Sequence, residues 1–244
     1  LPGLTQSQVK SGLRSYNPME YTINIKGRLM DLSTPQVMGI LNVTPDSFYS
    51  GSRKQTEMEI AQRANQIIEE GGSIIDVGAF STRPGADEVS EEEEGRRLKF
   101  ALDIVRREQP DAAVSVDTYR PTLARKCIEE WGADIINDVS EGGITGIVNV
   151  PLEQKQEEYP EMFRVVGELK VPYILMSVQP TLETMMKGFA KEVQQLRDLG
   201  AKDIILDPGF CFGKNLIQNY QIYNEMEKLN VMELPVLVGI SRKS

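Results

Sequence analysis

The 244-residue sequence predicts an α/β fold in which short strands alternate with longer helices. Short β-branched or apolar runs recur along the chain, and each run ends in a polar loop followed by an amphipathic stretch. Glycine also stands where a helical stretch gives way to the next apolar run, as in Glu69-Glu70-Gly71-Gly72 and Trp131-Gly132-Ala133-Asp134. This recurrence indicates repeated β/α units, because each glycine lies where a helix is expected to end.

Seven strands are predicted after an N-terminal segment, residues 1–35, that leads into them. Within that segment, residues 21–25 alternate between polar and apolar in the manner of a short strand. The following strands are predicted at 37–41, 73–77, 113–116, 134–136, 171–176, 203–206 and 235–238. Helical stretches between them are predicted at 56–70, 90–107, 121–131, 154–168, 181–199 and 215–229. Ser90 with Glu93 resembles a capping box, and Pro121 suits a first helical turn.

Polar residues at the predicted strand ends favour a closed barrel over an open, doubly wound sheet. They are Asn42, Asp76, Asp117, Asn137, Ser177, Asp207 and the tail Ser241-Arg242-Lys243-Ser244. A barrel gathers all of its strand C-termini around one mouth, whereas an open sheet offers mainly the crevice where strand order reverses. The alternative is that each polar residue only caps the helix that follows it.

Composition excludes several classes of function. The sequence contains no histidine, which removes the Ser-His and Cys-His nucleophile pairs and the histidine zinc motifs. A net charge of −9 disfavours nucleic acid as a partner. No apolar run approaches the roughly 18 to 20 residues that cross a bilayer, so neither membrane insertion nor secretion is expected. Cys127 and Cys211 have no paired spacing, which fits a reducing cytoplasm.

Several loops carry residues that suit substrate or metal binding. Asn42-Val43-Thr44-Pro45-Asp46 supplies oxygens for a hard cation, although an Asx-type turn explains them equally well. Ser81-Thr82-Arg83-Pro84-Gly85 offers hydroxyls and a guanidinium for an anion. The glycine-rich run from Asp207 to Lys214 is by itself a weak signal. Residues 241–244 bring two cations to a region where barrels often bind phosphate, unless they form a bare surface tail. The acidic run 91–94 is predicted to be a solvated first helical turn.

Six motifs, taken in order over residues 36–244, resemble the dihydropteroate synthase family. They are Met38-Gly39-Ile40-Leu41-Asn42-Val43-Thr44-Pro45-Asp46-Ser47-Phe48, Ile75-Asp76-Val77-Gly78 with Ser81-Thr82-Arg83-Pro84-Gly85, Val114-Ser115-Val116-Asp117-Thr118, Ile136-Asn137-Asp138-Val139-Ser140, Ile205-Leu206-Asp207-Pro208-Gly209-Phe210 and Gly239-Ile240-Ser241-Arg242-Lys243-Ser244. The resemblance implies a TIM (β/α)₈ barrel. Because family members continue into an eighth strand, residues 36–244 are expected to form one pterin-binding barrel domain whose eighth strand and helix are absent from the given chain.

The resemblance also implies a reaction and its participants. Family members condense 6-hydroxymethyl-7,8-dihydropterin diphosphate with p-aminobenzoate to give 7,8-dihydropteroate and pyrophosphate in folate biosynthesis. They use Mg²⁺ and are sulfonamide targets. Small-molecule substrates and a homodimer are therefore expected, with no nucleic acid or membrane partner. The rival hypotheses are a methyltetrahydrofolate-binding barrel of a corrinoid methyltransferase and a non-catalytic pterin-binding barrel, and the loop 81–84 and tail 241–244 argue against the first.

Site residues follow from matching this sequence to the family motifs. The substrate-binding set implied by the resemblance is Thr82, Pro84, Asp76, Asp117, Asn137, Asp207, Phe210, Lys243 and Ser244. The implied catalytic residues are Lys243, Asp117 and Arg83, and the implied magnesium ligand is Asn42. Two positions depart from the family pattern. Leu175-Met176-Ser177-Val178-Gln179-Pro180 lacks a histidine that is common there, and Cys211 stands where a second glycine is common.

Overall fold

Strands and helices alternate throughout the computed structural model, which describes residues 21–43, 53–80, 89–143 and 159–240. The strands are β1 Thr22–Ile25, β2 Arg28–Asp31, β3 Met38–Asn42, β4 Ile74–Gly78, β5 Ala113–Asp117, β6 Ile135–Asp138, β7 Tyr173–Met176 and β8 Ile204–Asp207. The helices are α1 Arg53–Glu69, α2 Glu91–Glu108, α3 Pro121–Glu129, α4 Glu161–Leu169, α5 Leu182–Asp198 and α6 Leu216–Glu225. Short 3₁₀ turns lie at Glu141–Gly143 and Met226–Met232.

The main sheet is parallel, and its strands are ordered β3-β4-β5-β6-β7-β8. Each strand therefore pairs with its neighbour in the chain, which is the order of a (β/α)₈ barrel; an open doubly wound sheet would reverse direction. The strand predicted at 235–238 is reduced to one parallel bridge between Leu206 and Val236. Its ladder bonds are nevertheless present, because Leu237 N donates to Leu206 O at 2.8 Å.

Apolar packing on both faces of the sheet explains why the strands read as continuous apolar runs. All five residues of β4 are buried. On α2, the helical spacing of Leu98, Ala101, Leu102 and Val105 buries one face completely against the sheet. Burying each leucine contributes roughly 1.5 to 3 kcal/mol. No described helix combines the length and apolarity that a membrane span requires.

The hairpin β1–β2 covers the N-terminal ends of the barrel strands. Ile23 and Ile25 pack in one cluster with residues from the strand starts: Ile74, Ala113, Ile135, Ile174 and Ile205. The strand predicted at 21–25 is confirmed, whereas β2 was not predicted, because its residues are largely exposed and lack apolar alternation. Its turn needs positive φ at Lys26 (49°) and Gly27 (84°), and the second of these is the usual position of glycine.

Predicted boundaries shift for local reasons. Helix α2 begins where predicted, since Ser90 Oγ accepts the Glu93 amide; the Glu93 carboxylate, however, pairs with Arg97 at 2.7 Å instead of closing the capping box. Pro121 opens α3 as expected. The helix predicted at 154–168 begins only at Glu161, because Pro160 is its N-cap, and residues 154–158 lie outside the described residues. The helix predicted at 215–229 tightens into a 3₁₀ turn after Glu225.

Candidate functional site

Parallel strand pairing places four residues in one row at the C-terminal edge of the sheet: the predicted site residues Asn42, Asp117 and Asn137, and Gly78 between the first two. Asn42 pairs with Gly78, Gly78 with Asp117, and Asp117 with Asn137. Three of these four residues carry amide or carboxylate groups. The sequence interpretation of Asn42, Asp117 and Asn137 as strand-end residues therefore agrees with their placement, since each lies at or near the end of its strand.

Gly78 leaves room for the polar groups beside it. A Cβ at this position would lie 2.9 Å from Asn42 Oδ1 and 3.4 Å from Asp117 Oδ2. Both oxygens therefore face the same small volume above the sheet, although they come from strands on either side of β4. A side chain at residue 78 would enter that volume and displace the Asn42 amide, so glycine keeps the space between the two oxygens open.

Asp76 is buried and Asp117 is half-buried, and each carboxylate has one buried oxygen. Asn137 Nδ2 donates to Asp76 Oδ2 at 3.2 Å, while Asp76 Oδ1 and Asp117 Oδ1 are buried without a hydrogen-bond donor among the described residues. Burial raises the pKa of Asp76 to about 6. Burial also raises the pKa of Asp117 well above its usual range, and the charges of Asp76, Glu94 and Asp138 raise it further. Such oxygens suit a ligand that presents several N–H donors.

Asp207 ends β8 and begins the glycine-rich turn. Its Oδ1 accepts the Gly209 amide at 2.7 Å. Burial raises the pKa of Asp207 to about 6, against the lowering effects of that amide bond and the Lys214 charge. Phe210 is buried, and the edge of its ring meets Tyr223 at a centroid distance of 6.2 Å. The turn thus holds a carboxylate and a buried aromatic ring within one short segment.

A second polar layer supports the Asp117 strand end from α2. Thr118 Oγ donates to Glu94 Oε1 at 2.6 Å, and Arg120 Nε lies 3.3 Å from Glu94 Oε2. Arg120 also donates to Val89 O at 2.6 Å. The prediction that residues 91–94 form a solvated turn is wrong for Glu94, which is fully buried. Its helical spacing with Arg97, Leu98 and Ala101, all on the buried face, was the available signal.

Asp138 and Lys214 were not predicted as contributors to the site. Asp138 Oδ1 accepts the Ser140 amide at 2.8 Å, and its Oδ2 accepts the Gly142 amide at 2.8 Å and the Tyr173 hydroxyl at 2.7 Å. It therefore clamps the loop that follows Asn137. Lys214 Nζ donates to three backbone carbonyls, those of Ser177, Gly209 and Phe212. The contacts that join these residues to β7, from Asp138 to Tyr173 and from Lys214 to Ser177, span 35 and 37 residues and leave no sequence signal.

The other sequence predictions divide into two groups. Ser177 is buried at the end of β7, where its hydroxyl accepts the Gln179 amide at 3.2 Å, so it serves the local turn. The remaining predicted residues lie outside the described residues; they are Thr82, Arg83, Pro84, Lys243 and Ser244. The same holds for Asp46 in the proposed cation loop.

Asn42 suits a hard cation whose other ligands are waters and substrate phosphates. Its side chain is exposed, and its Oδ1 faces the volume over Gly78 that Asp117 Oδ2 also faces. Within the described ranges, no group of three acidic, cysteine or histidine residues could hold a metal. Magnesium commonly takes one or two protein oxygens together with waters and substrate phosphates, so this donor set fits Mg²⁺.

A cavity at the opposite end of the strands is a weaker candidate. It measures about 400 Å³ and is lined by Lys26, Arg28, Arg106 and Asp134, among others. The arginines are already paired with acceptors: Arg106 binds Asp134, Gly132 O and Ala112 O, and Arg28 binds Asp111 O. The cavity therefore belongs to the packing of the hairpin β1–β2 and not to substrate binding.

The chain resembles known proteins over nearly all of this architecture. A family model described as pterin binding enzyme matches residues 38–244, a range that includes every predicted site residue. Dihydropteroate synthase of Escherichia coli (strain K12) is 36% identical over 234 residues, covering 90% of this chain and 77% of that protein.

Solved structures give the same result. Xanthomonas albilineans dihydropteroate synthase with 4-aminobenzoic acid matches with a TM-score of 0.78 at 31% identity, covering 92% of this chain and 79% of that one. The dihydropteroate synthase from the same organism in complex with 7,8-dihydropteroate matches with a TM-score of 0.74 at 29% identity, covering 91% and 79%.

Proposed function

The chain belongs to the pterin binding enzyme family, within its dihydropteroate synthases, and from this premise we propose how its residues divide the reaction. The fold is the TIM barrel of that family. The enzyme is a transferase that joins 6-hydroxymethyl-7,8-dihydropterin diphosphate to p-aminobenzoate, giving 7,8-dihydropteroate and pyrophosphate. The observation that carries the residue assignments is the row Asn42–Gly78–Asp117–Asn137 with its buried carboxylate oxygens.

We propose that the pterin ring binds to Asp76, Asp117, Asn137 and Asp207. A dihydropterin carries an amino group and ring N–H groups as donors and a carbonyl as acceptor. The donorless oxygens of Asp76 and Asp117 match the donors, and the Asn137 amide offers both functions. Asp76 and Asn137 are buried, and burial strengthens their hydrogen bonds because little water competes for them.

The second substrate and the diphosphate are proposed to meet the loops at the mouth. Phe210 supplies a buried aromatic surface that suits the p-aminobenzoate ring. Thr82, Arg83, Pro84 and Ser244 are assigned to the same site from their family motifs, and Lys243 to the pterin and diphosphate. Arg120 supports this arrangement indirectly, because its bond to Val89 O fixes the residue that follows segment 81–88.

In the proposed mechanism the C–O bond between the pterin methylene carbon and diphosphate breaks first, the electron pair leaves with pyrophosphate, and the dihydropterin delocalises the positive charge. The aniline nitrogen then attacks the methylene carbon and forms the C–N bond. The attacking nitrogen then loses a proton to solvent. An aniline is unprotonated at neutral pH, so the absence of histidine from the sequence does not obstruct the reaction. The Asp207 carboxylate places negative charge beside the ring, where positive charge develops as diphosphate departs. Ring N–H groups that donate to Asp117 favour the ionised form of its carboxyl when the pterin is bound, which opposes the effect of burial on its pKa. Arg83 and Lys243 are proposed to orient the two substrates.

We propose that Asn42 holds Mg²⁺ beside the diphosphate. When bound, the cation would offset negative charge on the leaving group. This role is supported by the exposed Asn42 amide oxygen and by the volume left open over Gly78.

Calorimetry with the unphosphorylated 6-hydroxymethyl-7,8-dihydropterin tests the pterin assignment. We expect Asp117→Asn to weaken binding by roughly 10-fold or more, because loss of a buried charged acceptor costs on the order of 1.5 to 3 kcal/mol. Asp103→Asn is the matched control, since Asp103 is exposed on α2 and pairs with Lys99. Unchanged affinity in a folded Asp117→Asn protein would remove Asp117 from the pterin site.

Comparison of two ligands tests the metal assignment. With Mg²⁺ present, Asn42→Ala is expected to weaken the pterin diphosphate by roughly 10-fold while leaving the unphosphorylated pterin within about 2-fold. The control is Asn224→Ala, an exposed position on α6. Equal losses for both ligands would show that Asn42 serves the pterin ring instead of the cation.

A homodimer and a cytoplasmic location complete the proposal. Leu216, Ile217 and Tyr220 are exposed along α6, which supports a helix-mediated contact between copies. Sedimentation as a monomer at micromolar concentration would exclude it. The free thiols of Cys127 and Cys211 support a reducing compartment, and localisation by fractionation would test it.

A further inference from the structure

The turn after β8 lies directly on the backbone that ends β7. A Cβ on Gly209 would approach Ser177 O to 2.3 Å, and a Cβ on Gly213 would approach Val178 O to 3.1 Å. Ser177 N also donates to Asp207 O at 2.9 Å, which continues the ladder to the base of the turn. The turn is therefore defined by its contact with residues 177–178, and Asp207 and Phe210 depend on that contact for their positions.

Lys214 links the turn after β8 to the backbone that ends β7. Its Nζ donates to Ser177 O at 2.9 Å, Gly209 O at 3.0 Å and Phe212 O at 3.0 Å. An ammonium group has three N–H donors, and these contacts use all of them. Three carbonyls around one point match a tetrahedral ammonium and not a planar guanidinium.

We propose that Lys214 is a positioning residue, which fixes the Asp207–Gly213 turn to the end of β7 and so holds Asp207 and Phe210 in the substrate site. It reaches the substrates only through this turn. The inference rests on the proposed pterin role of Asp207. It adds that the turn needs a cation bound to its carbonyls. Among the described lysines, Lys214 alone donates to three backbone carbonyls.

The charge of Lys214 also acts on Asp207. Its cationic group lowers the pKa of Asp207, opposing the larger effect of burial. The charged and titratable groups that act on Lys214 are Asp207 from β8, Glu141 from the 3₁₀ turn after β6, and Cys211 from the turn itself. Burial lowers the pKa of Lys214 to about 8, so the ammonium is the main form at neutral pH.

The decisive variant is Lys214→Met, which keeps the length of the stem and removes the charge and the donors. We expect its affinity for 6-hydroxymethyl-7,8-dihydropterin to fall by roughly 10-fold or more. Pterin affinity is expected to fall at low pH as Asp207 is protonated, and this fall is the acidic limb of the binding profile. In Lys214→Met the acidic limb should move to higher pH by about half a unit or more, because Asp207 loses a nearby positive charge. Lys202→Met, at an exposed position just before β8, is the matched control and should change neither quantity.

Two further variants make the result decisive. Lys214→Arg keeps the charge and should preserve the acidic limb while losing part of the affinity, since a planar group cannot meet all three carbonyls. Lys214→Gln retains N–H donors without charge and replaces the methionine variant if that protein does not fold. A variant without charge that shows parental pterin affinity and an unmoved acidic limb overturns the proposal, whatever its melting temperature.

Asp207→Asn separates this inference from the function on which it rests. If Asp207→Asn binds pterin normally, the pterin role of Asp207 fails. If Asp207→Asn weakens binding and the uncharged Lys214 variants do not, only the role of Lys214 fails. When both are correct, the double variant should lose less affinity than the two single losses combined, because both act through one carboxylate.

Discussion

Two neighbouring carboxylates with buried oxygens oppose folding and serve binding. Asp76 and Asp117 each have an oxygen without a donor among the described residues, and burial raises the pKa of both. A protein interior ordinarily avoids such groups, because a desolvated charge without a partner is costly. Perturbed carboxylates of this kind are characteristic of functional sites, where the ligand supplies the missing donors.

Neutralising Asp76 is therefore expected to stabilise the free protein at neutral pH. Its pKa of about 6 in the folded state lies above the ordinary value, so the folded protein binds this proton more tightly than the unfolded chain does. The stability from this group is present at low pH and is lost as pH rises through about 6. Asp76→Asn retains an acceptor for the Asn137 amide. It should raise the free energy of unfolding by roughly 1 to 3 kcal/mol at neutral pH, and less near pH 5.

Urea unfolding at pH 5 and pH 7.5 measures this effect. Asp103→Asn serves as control, because that carboxylate is exposed and should show little dependence on pH. A less stable Asp76→Asn protein at pH 7.5 would mean that the ionised carboxylate contributes favourably to the fold. The same variant should bind pterin more weakly, which is the usual opposition between stability and function at a site.

The sequence predicted the placement of residues at strand ends where one rule applied. Asn42, Asp117 and Asn137 follow apolar runs, and the carboxyl ends of parallel strands must converge. Glu94 was assigned to solvent because its acidic neighbours fit a helix N-terminus, but the helix rotates it into the core. Lys214 could not be assigned, because the carbonyl through which it joins the turn to β7, that of Ser177, is 37 residues away in the chain.

At the scale of elements, the turn between β8 and α6 is held from both sides. Lys214 joins it to β7, and Asn219 on α6 accepts the Cys211 amide through Oδ1 at 2.8 Å. Cys211 adopts a positive φ of 70°, a conformation that glycine takes without steric cost. The turn thus carries backbone strain at a site that the rest of the fold determines.

Gly209→Ala should disrupt this turn specifically. Its φ is +61°, and the new Cβ would lie 2.3 Å from Ser177 O, a backbone atom that cannot move aside cheaply. The left-handed conformation alone costs about 1 to 2 kcal/mol for a residue with a side chain. We expect a loss of stability of about 2 kcal/mol or more, together with pterin binding weakened at least 10-fold.

Gly188→Ala is the matched control for that substitution. Gly188 lies inside α5, where the nearest atom to a new Cβ is Glu192 Oε1 at 3.9 Å. Alanine should therefore stabilise the helix by about 0.5 to 1 kcal/mol. Denaturant unfolding and pterin calorimetry on both proteins give the comparison, and parental behaviour of Gly209→Ala would show that the turn adapts freely.

Element types were easier to predict than element ends. Apolar period and glycine placement identified the alternation of strands and helices, because burial on both faces makes each strand a continuous apolar run. The ends depend on single contacts. The strand predicted from residue 171 begins at Tyr173, after Pro172, which has no N–H for the ladder. The hairpin partner β2 escaped prediction, because Leu29 and the rest of its outward face are exposed.

At the scale of the molecule, the two ends of the barrel have separate tasks. The C-terminal ends of the strands hold the proposed site, while the N-terminal ends pack on the hairpin β1–β2. Asp134 reinforces the latter end: it accepts from Arg106 at 2.5 Å and the Val114 amide at 2.8 Å, and it pairs with Lys26 at 3.1 Å. In barrels of this type, residues at the N-terminal face serve stability and those at the C-terminal face serve chemistry.

Ile23→Ala should accordingly reduce stability without altering catalysis. Ile23 is 1% exposed and packs among the first residues of the barrel strands, so its truncation leaves a cavity at the base of the sheet. We expect the free energy of unfolding to fall by about 2 to 5 kcal/mol. Leu29→Ala, on the exposed face of β2, is the matched control and should stay within about 0.5 kcal/mol of the parent. Assayed below the melting transition of both variants, kcat and the KM values for both substrates should remain within about 2-fold of the parent, because Ile23 packs with the first residues of the strands, away from the proposed site residues at their C-terminal ends, and distant sites usually act independently. A change in KM for the pterin substrate in Ile23→Ala, at a temperature where it is fully folded, would show that the hairpin adjusts the site and would contradict the division of tasks between the two ends.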